Sequence, residues 1–291
     1  EKMKLHIPEY FDLPSTLESG QAHRWKYENG WYWGVVYGDL IKIRQTQSEV
    51  EILSSLRDPD NLKSLIQWYF RMDDNLDEIY KMIRKDDYIS GAINRHCGLR
   101  ILRQEPWECL SAFICSATSS ISRIHKNMES MSDSLGESLV LDGHLRSTFP
   151  TPEQIVTAGE SKLRELGLGF RAKYLHRAAI AIAEGGLDLG ELRYIDYWDA
   201  KAKLMELSGI GPKIADCVLV FSLDKLEAFP IDRWVSRALE KFYFDDCIPS
   251  YQDTVVWAHD YFGCYAGYAQ QYLFHDQRLG GLHVKGVSHR K

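Results

Sequence analysis

The sequence is poor in cysteine, and its cysteines do not form the closely spaced pairs that mark zinc or iron–sulfur sites. The six of them are Cys97, Cys109, Cys115, Cys217, Cys247 and Cys264. This spacing argues against a cysteine-ligated metal and predicts reduced thiols in an intracellular protein. We therefore expect no cofactor.

Long apolar runs and an excess of positive charge are also missing. No run approaches the roughly 20 residues that a membrane-spanning helix needs, and we see no targeting signal. We expect a monomer without a membrane partner, in the cytoplasm or nucleoid, or in a eukaryotic nucleus. The net charge of −6 excludes a globally basic nucleic-acid-binding protein, but it leaves room for a local basic face.

Hydrophobic residues make up 45% of the 291 residues, enough for a full core. Aromatic and β-branched residues nearly alternate from His23 to about Leu53, which predicts several antiparallel strands. After Pro59 apolar residues recur at helical spacing, and we find no convincing strand beyond it. The predicted fold class is α+β: an N-terminal antiparallel β-sheet domain with helices at residues 1–97, then a mostly helical domain at 98–291.

Local signals place several helices within the second domain. Pro106 begins an apolar helix that reaches Cys115, and Thr151 is a candidate helix cap before Pro152. The glycine-rich segment 167–171 predicts a break between two helices, and Gly185-Gly186 ends the second of them. Further helices are predicted at about 196–206, 212–223, 232–243, 251–262 and 265–277, with a polar tail from Gly280.

Two glycines one residue apart, Gly209 and Gly211, lie between two of the predicted helices. Such a hairpin lets the backbone turn tightly and leaves amides pointing outward at the start of the second helix, where an anionic oxygen binds well. Pro212 suits the first helical turn. A short motif of this kind is also typical of an ordinary corner between helices.

Lys213 follows the hairpin on an otherwise apolar helix, and Asp232 comes 19 residues later at the start of the next helix. Desolvation and the helix dipole both favour an uncharged, nucleophilic amine at such a position. An aspartate before a helix is a natural cap, and capping helps to keep the carboxylate ionised. A solvated lysine and a purely structural cap are the ordinary alternatives.

Residues 207–217, followed by Phe229-Pro230-Ile231-Asp232, resemble the helix-hairpin-helix and glycine/proline/aspartate signature of the base-excision DNA glycosylases. Segments 19–25, 102–116 and 266–274 narrow the resemblance to the 8-oxoguanine DNA glycosylase/lyases. These motifs cover nearly the whole chain. The resemblance implies a two-lobed helical glycosylase domain, with its hairpin at 207–213 and its catalytic aspartate loop at 229–233.

The activity that the resemblance implies is excision of 8-oxoguanine from double-stranded DNA after the base has been flipped into a pocket. Lys213 would attack the sugar C1′, displace the base and form a Schiff base, which permits strand cleavage on the 3′ side. Asp232 would stabilise the cationic sugar and assist proton transfers. These roles follow from the family resemblance.

The resemblance also assigns the binding residues. The Gly20 carbonyl would accept the extra N7 hydrogen of the oxidised base, and Gln270 would bond its pairing edge. Cys217 and Phe274 would sandwich the ring. The DNA-binding positions are Thr118, Arg123, Phe170, Arg171, Gly209, Gly211 and Arg233. Apart from a monovalent cation at the carbonyls of Leu207 and Gly209, no metal is expected.

Within the DNA-binding set, Arg123 and Arg171 would read the orphaned cytosine, and Phe170 would wedge into the base stack. Arg233 and the hairpin amides would hold phosphate. Ala117-Thr118 stands where well-known members have asparagines, so we expect weaker discrimination for the base opposite the lesion.

Two other interpretations stay open. A non-catalytic DNA-binding module would use the hairpin for phosphate contact alone. A glycosylase of the same superfamily with another lesion specificity is the second alternative. Relatives with an iron–sulfur loop need four cysteines after the catalytic region, where this chain has Cys247 and Cys264, and alkylation-repair relatives lack the lysine.

Overall fold

The computed structural model describes residues 2–245 and 247–280. Beyond Gly280 the predicted polar tail lies outside these residues. The strands are β1 (Met3–His6), β2 (Lys26–Glu28), β3 (Trp31–Val36), β4 (Asp39–Gln45), β5 (Glu49–Ser54), β6 (Ser138–Leu141) and β7 (His144–Ser147). The first helices are α1 (Leu13–Leu17), α2 (Pro59–Tyr69), α3 (Leu76–Ile83), α4 (Asp87–Arg95), α5 (Pro106–Cys115) and α6 (Ile121–Leu135). The remaining ones are α7 (Pro152–Leu163), α8 (Arg171–Ala183), α9 (Tyr197–Met205), α10 (Pro212–Ser222), α11 (Arg233–Phe242), α12 (Tyr251–Phe262) and α13 (Ala266–Arg278).

The N-terminal part is the predicted antiparallel sheet, with strand order β1-β5-β4-β3-β2. Register is set by apolar pairs such as Ile43 opposite Ile52, both fully buried. One face of the sheet packs against α1 and α2 around Leu13, Ile66 and Phe70. The strands predicted between His23 and Leu53 are confirmed, and β1 adds an edge strand before them.

The expectation of no strand beyond Pro59 is wrong, because β6 and β7 form a hairpin. Asp142 and Gly143 both have positive φ at the turn, as a two-residue hairpin requires. Each strand has four residues, too few to give a clear alternating pattern. Contacts with the sheet stabilise the hairpin: Leu139 joins a buried cluster with residues of β3 and β4, and His144 stacks on Trp33 at 3.9 Å between ring centroids.

The second core is helical and extends from Leu76 in α3 to Leu273 in α13. The five helices predicted from 196 onward are confirmed as α9 to α13, with ends within one residue of those expected. Thr151 caps α7 in a reciprocal arrangement with Gln154, as the sequence indicates. The predicted break before Arg171 is also confirmed, since Gly167 and Gly169 both have positive φ.

The segment after Gly98 joins the two cores through buried polar side chains. Arg100 is 1% exposed and donates hydrogen bonds to the carbonyls of Tyr10 and Asp74. Gln21 accepts one from the Leu102 amide at 2.8 Å, while Gln104 donates to the Gln21 carbonyl at 2.7 Å. These bonds fix the loop that contains Gly20 against the helical part. A domain boundary between residues 97 and 98 stays a prediction.

Gly98 offers a test of this junction. It has φ +94°, and a Cβ there would lie 2.8 Å from the Asp12 nitrogen, whereas Gly143 has φ +78° with open space around it. We expect Gly143→Ala to lower the free energy of unfolding by about 1 kcal/mol, through backbone strain alone. Gly98→Ala should lower it by about 3 kcal/mol, because overpacking against backbone is added. Urea unfolding measures both, and equal losses would contradict the packing argument.

Candidate active site

The hairpin between α9 and α10 depends on its first glycine. Gly209 has φ +87°, and a Cβ at this position would lie 2.4 Å from the Tyr174 ring. Gly211 has φ −94° at the start of α10, and a Cβ there would meet open space. In the described structure the amides of Lys213 and Ile214 make no hydrogen bond, so they are free to bind an anion.

Lys213 extends from the first turn of α10 towards the end of α5. Its Nζ donates to the Ser116 hydroxyl at 3.2 Å and lies 5.5 Å from the centre of the Phe113 ring. The side chain is half-buried. The aromatic face and the serine together hold the amine in one direction, and they do so without a carboxylate partner among the described residues.

Asp232 caps α11, as predicted. Its Oδ1 accepts hydrogen bonds from the amides of Trp234 at 2.9 Å and Val235 at 2.8 Å. Burial raises the pKa of Asp232, while the two amides and the nearby Lys213 charge oppose that shift. Capping alone would lower the pKa and keep this carboxylate ionised, but burial raises the pKa and is the larger of the two effects.

Lys213 and Asp232 face one cavity of about 960 Å³. Its wall includes every residue predicted for the base pocket and two of the predicted DNA-binding residues. These are Gly20, Cys217, Gln270 and Phe274, with Thr118 and Arg233. The structure thus brings segments from both ends of the chain to the reactive pair.

Gly20 lies against Phe274 on one side of the cavity. It has φ +75°, and a Cβ there would approach Phe274 Cε1 to 3.1 Å. The loop is held from behind, because Gln271 donates from Nε2 to the Ser19 carbonyl at 2.9 Å. A larger residue at position 20 would strain the backbone and fill the space beside the aromatic ring.

Gln270 differs from its neighbour Gln271 in one respect. Its side-chain Oε1 is buried and has no hydrogen-bond partner among the described residues, although the residue is only 3% exposed. An unpaired buried oxygen is unfavourable by roughly 1–3 kcal/mol. Because Gln270 lines the cavity, a bound molecule could supply the missing donor.

Cys217 faces the cavity one helical turn after Lys213. Burial raises the pKa of its thiol to about 12, although the Lys213 charge acts in the opposite direction. The thiol is therefore protonated near neutral pH. It can offer a polarisable apolar surface to a flat ring, and it is a poor nucleophile in this state.

The predicted readers of the opposite base lie together outside the cavity. Arg171 is 3% exposed and donates to the Ala117 carbonyl and to both oxygens of Thr118, so its guanidinium braces the loop before α6. Arg123 is exposed, with one long contact of 3.5 Å to the Gly167 carbonyl. Phe170 is 51% exposed, as a residue that wedges between bases requires.

His23, Trp234 and Arg278 are among the cavity residues to which the sequence prediction gives no role. His23 is 5% exposed, and neither ring nitrogen has a partner in the described part of the chain. Burial lowers its pKa to about 3, so the ring is neutral at any physiological pH. The position of His23 three residues after Gly20 is the one sequence signal for a place in the site. The burial of its ring without a hydrogen-bond partner among the described residues can be seen only in the structure.

Within residues 2–245 and 247–280, no group of three or more His, Cys, Asp and Glu side chains could hold a metal ion. The predicted cation site depends instead on backbone carbonyls. The Leu207 carbonyl accepts a hydrogen bond from the Ile210 amide at 3.1 Å, which closes the hairpin turn. The monovalent cation stays a prediction.

Comparison with known proteins identifies the family of this chain. Residues 4–110 match the family model of the 8-oxoguanine DNA glycosylase N-terminal domain, and residues 111–255 match the HhH-GPD superfamily of base excision DNA repair proteins. N-glycosylase/DNA lyase OGG1 of Arabidopsis thaliana is 32% identical, over 94% of this chain and 82% of its own.

Two solved structures are similar over nearly their whole length. MBOgg1, in complex with a low affinity DNA ligand, has a TM-score of 0.91 and 32% identity, covering 96% of each chain. The Clostridium acetobutylicum 8-oxoguanine glycosylase/lyase, in complex with double-stranded DNA containing cytosine opposite 8-oxoguanine, has a TM-score of 0.88 and 30% identity, covering 95% of this chain and 98% of its own. The chain belongs to the 8-oxoguanine DNA glycosylase/lyase family of the HhH-GPD superfamily.

Proposed function

We propose that this protein is a bifunctional DNA glycosylase and abasic-site lyase that removes 8-oxoguanine from double-stranded DNA. The proposal depends on one cavity whose wall carries a lysine amine, the partly buried carboxylate of Asp232 and the Gln270 side-chain oxygen, which has no partner among the described residues. Family membership supplies the reaction, and the described residues supply groups of the required kind at one place.

In the proposed reaction the Lys213 amine, once deprotonated, forms a bond to the sugar C1′ as the bond from C1′ to the base breaks. The base leaves with the bonding electrons and takes up a proton. The adduct opens to a protonated Schiff base, and loss of a proton from C2′ then breaks the C3′–O3′ bond. Asp232 would stabilise positive charge on the sugar, and two amides that bond to its Oδ1 support this role by fixing the carboxylate.

We assign base selection to other residues of the cavity wall. The Gly20 carbonyl would accept the N7 hydrogen that oxidation adds, and Gln270 would bond the pairing edge. Cys217 and Phe274 would flank the ring, the former as a neutral thiol. Arg233, exposed at the first position of α11, would hold a phosphate.

Every helix among the described residues is too short or too polar to cross a bilayer. We propose that the protein acts as a monomer on DNA inside the cell. Because the net charge is −6, binding would depend on a few placed contacts, among them Arg123 and the hairpin amides, more than on overall attraction.

Borohydride trapping tests the lyase step. With a duplex containing 8-oxoguanine, reduction should fix a covalent adduct between protein and DNA, because borohydride reduces a Schiff base to a stable amine. Lys213→Gln should abolish the adduct, while Lys203→Gln, at an exposed position on α9, should leave it unchanged. An adduct that survives Lys213→Gln would rule out this nucleophile. Strong trapping on another lesion but none on 8-oxoguanine would favour a different specificity.

Gln270→Leu tests base recognition. We expect single-turnover excision of 8-oxoguanine to slow by about tenfold to hundredfold, because the pairing edge loses its partner. The free energy of unfolding should stay equal or rise by about 1 kcal/mol, since an unpaired buried oxygen is removed. The matched control is Gln271→Leu, which breaks the bond to Ser19 and should destabilise the fold. Wild-type excision by Gln270→Leu would contradict the assigned role.

Substitutions at the two hairpin glycines test stability and phosphate binding separately. Gly209→Ala should destabilise the protein, because its methyl would meet the Tyr174 ring. Gly211→Ala should keep wild-type stability, since its surroundings are open, yet it should weaken binding to a duplex with an abasic-site analogue by about tenfold, because the methyl blocks close approach of phosphate to the amides. Fluorescence anisotropy measures the affinity, and unchanged binding by Gly211→Ala would argue against phosphate at this hairpin.

A further inference from the structure

Asp216 stands on α10, the helix that carries Lys213 and Cys217, but its carboxylate is fully buried. It accepts three hydrogen bonds: from Lys201 Nζ at 2.8 Å, from the Tyr251 hydroxyl at 2.7 Å and from the Tyr197 hydroxyl at 2.7 Å. A buried ion pair is often no more stable than apolar residues of the same size. The presence of this ion pair on the helix of Lys213 therefore calls for an explanation other than stability.

The three donors come from two helices. Lys201 and Tyr197 lie on α9, and Tyr251 is the first residue of α12. Burial and the Asp216 carboxylate raise the pKa of both tyrosines, so each hydroxyl stays protonated and donates. The carboxylate thus joins α9, α10 and α12 at one point.

Tyr251 makes one contact that Tyr197 lacks. Its hydroxyl oxygen accepts a hydrogen bond from the Ile231 amide at 3.3 Å. Ile231 directly precedes Asp232. Within the described residues the backbone of 229–231 makes no other hydrogen bond, so this contact is the polar anchor of the loop on its upstream side.

The relative position of Lys213 and Asp232 has to be set by their supports. The described structure contains no ion pair or hydrogen bond between the two. Lys213 is carried by α10 and Asp232 by the loop, and the path from Asp216 through Tyr251 to Ile231 joins those two supports. A displacement of about 1 Å can slow an enzyme roughly a hundredfold.

We propose that Tyr251 is a positioning residue, which fixes the Asp232 loop to the Lys213 helix through the buried carboxylate of Asp216. The ion pair with Lys201 holds that carboxylate in place, and Tyr251 transmits its position to the loop. The inference rests on the proposed roles of Lys213 and Asp232.

Two variants form a matched pair. Tyr251→Phe and Tyr197→Phe each delete one hydroxyl that donates to Asp216 at 2.7 Å, but only the first also releases Ile231. We expect both to lower the melting temperature. Single-turnover excision of 8-oxoguanine at saturating enzyme should slow about tenfold or more in Tyr251→Phe, and it should stay within about twofold of wild type in Tyr197→Phe. Affinity for a duplex with an abasic-site analogue should be unchanged in both.

Failure of the proposed function and failure of the positioning role give different results. If wild-type protein neither excises 8-oxoguanine nor forms a trapped adduct, the proposed function is wrong. If wild type is active and both variants slow equally, or neither slows, the positioning role of Tyr251 is wrong.

Hydrogen exchange in the wild-type protein gives a second measurement that does not depend on the variant folding. The Ile231 amide should be protected as strongly as amides inside α10, and rapid exchange would overturn the proposal.

Discussion

A cavity of about 960 Å³ stays open inside a close-packed protein only if its walls are held from behind. Here buried polar side chains provide that support, and they stand next to the residues that face the cavity. Gln21 ties down the loop of Gly20, and Gln271 ties α13, which carries Gln270, to the same loop. Gln21 and Gln271 are hydrogen-bonded, whereas the Gln270 oxygen and both ring nitrogens of His23 have no partner among the described residues.

The groups that lack a partner at the cavity affect the stability of the fold. The Gln270 oxygen and the His23 ring nitrogens have no partner among the described residues, so they make the fold less stable than apolar replacements would, and burial raises the pKa of the Asp232 carboxylate. Proteins keep such groups where a ligand or a reaction uses them. The same cavity contains all three, and this concentration agrees with the proposed role of the site more strongly than any single residue does.

Motifs that are continuous in the chain predict the reactive helix, its neighbouring helices and a part of the cavity wall that includes Gly20, Gln270 and Phe274. Helices α9 to α13 followed from apolar spacing, and Asp232 from its place before a helix. The sequence pattern does not predict the hairpin of β6 and β7, because the stability of this hairpin comes from the sheet onto which it packs. Burial of Arg171 under the Thr118 loop, and the lack of a partner for His23, depend on side-chain surroundings that no local pattern encodes.

The bond from Gln271 to the Ser19 carbonyl joins residues 252 positions apart. Everything between them, including the helix of Lys213 and the loop of Asp232, lies inside this closure. On the ribosome the chain would therefore expose its reactive lysine and aspartate before α13 emerges to complete the opposite wall. The part of the cavity proposed to recognise the damaged base is therefore completed last. A contact between residues so far apart in the chain forms slowly, and local helix formation cannot accelerate it.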